Sequence, residues 1–281
     1  MLALVVGCSG TPTDPSASAP PQFNHVVIVV EENTDYNDVI GGSSMPYLNS
    51  LAQQYGLATQ YYANTHPSIG NYFMLVVGDI ITNDNSHSQL VTEDNIVREL
   101  LAAGKTWKSY AEDLPSVGYT GGDVGKYVRS HNVFALLSDV VNDPAQVKHL
   151  VPFRQFATDL ANRALPSYSF VIPNLCDDAH SCPVSTADSW LRTNIDPLIK
   201  SPTFQQSGLL IITFDESLRD GTKGGGRVVW VAVSAKSKRG YQSTTGYQHE
   251  STLRLSAEAL GLKVLPNRAA TAADMSEFFA R

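Results

Sequence analysis

The chain has 281 residues, 43% hydrophobic and 17% charged, with 20 Lys and Arg against 27 Asp and Glu for a formal charge of −7. This composition excludes a disordered or collagen-like chain, and at this length folding buries roughly 75% of the surface an unfolded chain exposes. The acidic balance argues against nucleic acid, whose binders need a basic face to neutralise phosphates, and points to small-molecule partners.

In chain order, Met1 to Gly7 is apolar and ends in Val5-Val6-Gly7-Cys8, which looks like the lipobox at which bacterial lipoprotein precursors are cleaved. Residues 11–21 then supply Pro, Ser, Ala and Thr without apolar periodicity, the composition of a tether. The expectation is an exported protein, either lipid-anchored at Cys8 or secreted, with residues 1–21 as signal and tether and 22–281 as the folded domain. No apolar run reaches the roughly 18 residues that a membrane-spanning helix needs.

Val26 to Val30 reads as a buried strand, and Glu31-Glu32-Asn33 follows it. After Ser68, the residues Ile69, Tyr72, Phe73, Val76 and Val77 make the stripe of a buried helix, with Ser68 at its N-cap. Asp94 to Ala103 is a second helix, closed by Gly104. Strands are expected at Thr106–Tyr110 and Ser167–Ile172. Cys176 and Cys182 follow, most simply a short-loop disulfide that stiffens the segment carrying His180; a Cys/His metal site is the weaker alternative. Ser185–Lys200 is read as one helix weakened in its last turn by Pro197. Leu209–Phe214 is a strong strand followed by Asp215-Glu216, Gly224-Gly225-Gly226 a flexible loop, Val228–Val233 a strand, and Ser251–Leu260 a helix ending at Gly261. Strands alternating with helices give an α/β fold with a mostly parallel central sheet flanked by helices.

In open α/β sheets ligands bind beyond the carboxyl ends of the strands. Acids follow both of the strongest strands there, and if these strands are neighbours the acids converge. Converging carboxylates repel one another unless a cation or protons intervene, and their oxygens suit hard divalent cations. At Ser68 the hydroxyl is either a helix cap or, with free N–H donors and a cation nearby, a nucleophile beside a bound phosphate. Thr65 is the second choice, since it precedes Pro67 and lies outside the helical stripe. His25, His87 and His149 read as surface or core residues, and His66 is open. No Gly-x-Ser-x-Gly, His-Glu-x-x-His or Walker motif occurs.

The segments Glu31-Glu32-Asn33, Thr65 to Tyr72, Ser130 to Phe134, Pro173 to His180, Phe214-Asp215-Glu216 and His249-Glu250-Ser251 together resemble, in content and order, the bacterial and fungal phosphoesterase family. That family includes acid phosphatases and phospholipases C and belongs to the alkaline phosphatase superfamily. The resemblance implies an alkaline-phosphatase-like fold over 22–281 as the phosphoesterase catalytic domain. It implies a divalent metal ion held by Glu32, Asn33, Asp215 and Glu216, with Ser68 as the nucleophile. Asn71 and Asp178 fall at substrate-binding positions, and His131, His180 and His249 match histidines lining the phosphate pocket. Gly70 stands where the family usually has Pro.

The reading is metal-dependent hydrolysis of phosphate monoesters through a phosphoserine, with an acidic optimum from protonated histidines. Its alternatives are a phospholipase C or other phosphodiesterase and, in another class, a non-catalytic phosphate-binding lipoprotein.

Overall fold

The computed structural model describes residues 19–280; Cys8 and the tether up to residue 18 lie outside the described residues. Ten strands are described: β1 His25–Glu31, β2 Gly56–Ala58, β3 Tyr61–Tyr62, β4 Trp107–Ala111, β5 Leu150–Pro152, β6 Tyr168–Ile172, β7 Gly208–Phe214, β8 Trp230–Val233, β9 Gln242–Ser243 and β10 Tyr247–Gln248. The helices are α1 Tyr36–Val39, α2 Pro46–Gln54, α3 Ile69–Val76, α4 Ile96–Ala102, α5 Ser138–Val141, α6 Arg154–Ala161, α7 Val184–Asn194, α8 Asp196–Lys200, α9 Pro202–Ser207 and α10 His249–Ala259.

Eight strands form one sheet in the order β5-β4-β6-β1-β7-β8-β2-β9. The expected parallel sheet is found, with β8 alone reversed against its neighbours β7 and β2. The two most apolar runs, β1 and β7, pair side by side and parallel from His25–Gly208 through Glu31–Phe214. Both are buried on both faces, which their continuous β-branched and Leu sequences require. This pairing brings Glu31-Glu32-Asn33 and Asp215-Glu216 to one sheet edge.

Two elements differ from their sequence patterns. Ser185–Lys200 is two helices, because Pro197 cannot donate into a preceding turn and instead falls in the first turn of α8. The helix after Ser68 is buried all round rather than along a stripe, being enclosed between α10 and the segment around Phe134.

A small two-stranded sheet joins β3 to β10 in parallel, pairing Tyr61 with Tyr247 and Tyr62 with Gln248. It sets the start of α10 against the loop leading to Ser68. Gln248 Nε2 donates to Ala63 O at 3.2 Å, His249 N to Asn64 Oδ1 at 3.2 Å, and Asn64 Nδ2 to Glu250 Oε2 at 2.7 Å.

Gly224-Gly225-Gly226 is no loose loop. It packs against the backbone of that same segment, where a Cβ on Gly224 would come within 2.0 Å of Asn64 O and one on Gly225 within 2.4 Å of Thr65 O. Close approach of two backbones, rather than freedom, explains the run.

Candidate active site

Ser68 lies at the start of α3 with helical backbone angles, and its side chain makes no capping bond. The Ile69 N–H is taken instead by Asn85 Oδ1 at 3.2 Å. The first amide of the helix thus already has an acceptor within the chain. Freed from capping, Ser68 Oγ sits 3.1 Å from Glu216 Oε1 and 3.3 Å from Glu32 Oε2, so one hydroxyl proton is offered to two carboxylates.

The acids around it are drawn from neighbouring strands. Asp215 N donates to Glu31 O at 2.9 Å, tying the ends of β7 and β1. Asn33 turns the chain off β1 at φ 46°, a left-handed conformation that Asn tolerates, and its N–H donates to Asp215 Oδ1 at 3.1 Å. Burial pushes the Glu32 and Asp215 carboxyls well above the usual carboxylate range, and neighbouring acids raise them further: Asp215 and Asp178 for Glu32, Glu216 for Asp215. Glu31, on the opposite face of β1, is also fully buried with neither carboxylate oxygen bonded. Burial pushes it up as well, followed by Asp178, Asp177, Asp188 and Glu112.

Such a set of acids has the chemistry of a hard-cation site. Asp215 Oδ2 is buried without a hydrogen-bond partner, and the oxygens of Glu32 and Glu216 converge on Ser68. Among the described residues no three His, Cys, Asp or Glu side chains are arranged as a ready ligand group, so oxygens of Asn33 and Ser68 would have to complete it. The Asn33 amide donates to Glu32 Oε2 at 3.1 Å; a flip of that amide would offer its oxygen instead.

The matched histidines separate into three environments. His131 is buried, stacked on Tyr72 with ring centres 5.0 Å apart, and set between two carboxylates: Nε2 is 3.3 Å from Glu32 Oε1 and Nδ1 is 3.6 Å from Asp178 Oδ2. Tyr72 OH donates to the same Glu32 oxygen at 2.8 Å. Asp178 is itself buried; its carbonyl accepts from Glu32 N at 2.7 Å and its Oδ1 from His180 N at 2.8 Å, so it fastens the His180 loop to β1. His180 is exposed at the mouth, in the loop closed by the Cys176–Cys182 disulfide.

His249 is fully buried and does not line the pocket. Nε2 lies 2.7 Å from the Asp215 carbonyl and can only donate to it; Nδ1 lies 3.0 Å from Tyr61 OH. Burial lowers its pKa to about 4, so the ring is neutral and Nδ1 accepts the Tyr61 proton. Thr252 must then donate to Tyr61, at 2.6 Å, while Trp230 Nε1 donates to Thr252 at 2.8 Å. Every donor in this chain is spent on fixing Asp215 from behind. His249 thus has neither the free N–H nor the charge expected of an oxyanion donor.

Asn71 is likewise committed. Its Oδ1 accepts from Asn64 N at 2.9 Å and Thr65 N at 3.2 Å, and its Nδ2 donates to Thr65 O at 2.9 Å, clamping the loop before Ser68. Thr65 turns its hydroxyl to the His66 carbonyl. A Cβ on Gly70 would meet Asn83 Oδ1 at 2.4 Å and Thr65 Cγ2 at 2.5 Å, so a larger residue here needs those two side chains to move. His66, left open by the sequence, hydrogen-bonds through Nδ1 to Glu216 Oε2. Its adjacency to Ser68 is the available signal; Tyr72 has only its place in the helix and at the end of the Thr65–Tyr72 segment.

A family model described as the phosphoesterase family matches residues 42–263. The chain belongs to the phosphoesterase family. The match begins after Glu32 and Asn33. A Mycobacterium tuberculosis protein named phosphatidylinositol-3-phosphatase is 39% identical to this chain over 203 residues, covering 72% of the chain and 66% of the relative. An Aspergillus fumigatus acid phosphatase is 32% identical over 256 residues, covering 86% and 56%. The chain thus spans between about half and two thirds of the length of these relatives. Among solved structures, a Vibrio parahaemolyticus protein of the alkaline phosphatase superfamily superposes with TM-score 0.60 at 14% identity, covering 92% of the chain and 73% of that protein. The lipoteichoic acid synthase LtaP of Listeria monocytogenes gives 0.61 at 12%, covering 86% and 73%. These establish the alkaline-phosphatase-like fold.

Proposed function

We propose that this chain hydrolyses phosphate monoesters through a phosphoserine at Ser68. The observation that carries this reading is the Ser68 hydroxyl, released from capping and held between Glu216 and Glu32. The relatives named as phosphatases support the reaction class.

Glu32, Asn33, Asp215 and Glu216 would hold a divalent cation, which when bound supplies positive charge to favour the serine alkoxide and to offset charge on the phosphoryl oxygens. Ser68 passes its proton to Glu216 Oε1 as Oγ attacks phosphorus in line. The Oγ–P bond forms as the ester O–P bond breaks, and the leaving oxygen takes a proton from His180 at the mouth. Water then attacks the phosphoserine, giving one proton to His180 while Ser68 recovers its own from Glu216, and phosphate leaves. Asn71, His249 and Asp178 act as positioning residues, on the Ser68 loop, on Asp215 and on the His180 loop with His131 respectively.

Residues 22–281 act as one catalytic unit in this reading. Export is supported by the Cys176–Cys182 disulfide, a bond rare in reducing compartments. Among the described residues no helix is long and apolar enough to cross a membrane.

The test is Ser68→Ala assayed on 4-nitrophenyl phosphate with a full complement of divalent ions. Turnover should fall by about a thousandfold or more, and acid quenching of the wild type should trap phosphate on the peptide containing residue 68. A folded variant keeping more than a few per cent of activity would refute the assignment.

A further inference from the structure

A cavity of about 410 Å³ opens beside the site, lined among others by Asn33, Ala179, His180, Val184 and Leu218, with Ser44 and Asp38 on its wall. Leu218 is 60% exposed. An exposed leucine is ordinary by itself, but this one is held in place by both neighbours. Ser217 Oγ donates to Asp35 Oδ1, and Arg219 N donates to the same oxygen at 3.0 Å. The Arg219 guanidinium pairs with Asp35 Oδ2 at 2.7 Å and with Asp38. The short segment after β7 therefore delivers Glu216 to the Ser68 hydroxyl and Leu218 to the adjoining cavity.

Two polar groups of that wall already have partners. The Asp38 carboxylate is paired with Arg219, and Ser44 Oγ donates to Asp38 O at 2.9 Å. A polyol entering here would give up its water to compete with Arg219 and Asp38 O for these groups, whereas a hydrocarbon body would cover Leu218, Val184 and Ala179 without that exchange.

We propose that this cavity receives the alcohol side of the ester and that Leu218 is a specificity-determining residue favouring monoesters of alcohols with an apolar carbon body. The proposal rests on the hydrolase reading above, with Asn33 and His180 shared between cavity and site.

Hexyl phosphate and glycerol 1-phosphate test it, because both leave as alkyl alcohols and differ chiefly in the polarity of the body. Wild type should show kcat/KM about tenfold higher for the hexyl ester, and Leu218→Ser should lower that value about tenfold more than the glycerol value. Equal rates on the two esters, a preference for glycerol phosphate, or an equal loss on both in Leu218→Ser would overturn the assignment while leaving the hydrolase reading intact. A wild type that turns over neither these esters nor 4-nitrophenyl phosphate would overturn both.

Discussion

Replacing His249 by Phe separates its two conceivable roles. Phe preserves much of the ring's volume and removes both hydrogen bonds, leaving the buried Asp215 carbonyl without the donor now 2.7 Å away. An unsatisfied buried acceptor costs about 1–3 kcal/mol, and loss of the Tyr61 partner adds about 1 kcal/mol, so the variant should be destabilised by about 2–4 kcal/mol at pH 7.5. The acid side supplies a second signature. Burial lowers the folded-state pKa from 6.5 to about 4, so as pH falls between those values the unfolded chain takes up a proton that the native ring refuses. Stability conferred by this neutral ring is complete above the unfolded pKa and is lost on acidification at about 1.4 kcal/mol per pH unit, some 3 kcal/mol by pH 4.5. The variant lacks this dependence, so the gap between the two proteins should narrow by about that amount. Urea midpoints at pH 7.5 and 4.5, with kcat measured alongside, read both quantities. A variant as stable as wild type at both pH values, with kcat collapsed, would refute the clamp and restore His249 to the phosphate pocket.

Two further outcomes follow from the site. Removing divalent ions with EDTA should abolish turnover of aryl phosphates and adding them back should restore it; undiminished activity in the chelated protein would mean that the buried acids are balanced by protons alone. Replacing Cys176 and Cys182 by Ser should cost about 2 kcal/mol in urea denaturation through the released loop entropy and lower kcat severalfold, because Ala179 is held at φ 76° just before His180; unchanged kcat in the folded double variant would show that the loop keeps its shape without the bond.

The site was legible in the sequence to the extent that it depends on long apolar strands. Val26–Val30 and Leu209–Phe214 announce central strands by composition, and the acids that follow them must emerge at the same sheet edge once those strands pair. What a side chain does there depends on its direction, which residue order does not carry. Residue order suggests phosphate-pocket roles for Asn71 and His249, yet packing turns one onto the loop backbone and the other onto Asp215 O. Ser68 has the residue type of a cap, but its helical backbone angles leave the bond to Asn85. Strands as short as Tyr61–Tyr62 and Tyr247–Gln248 show no periodicity at all, although their pairing aligns α10 with the Ser68 loop.

The residue-for-residue pairing of β1 with β7 also limits how this fold can change. Glu31 and Glu32 have the same charge and lie on opposite faces, so inserting one residue inside β1 would turn Glu32 away from Ser68 and put Glu31 in its place, and deleting one would put Asn33 there. Hydropathy would scarcely register such a slip. Length variation that keeps these acids in place is therefore confined to the connections, and the spacing from His25 to Asn33 is as much a part of the candidate site as the acids themselves.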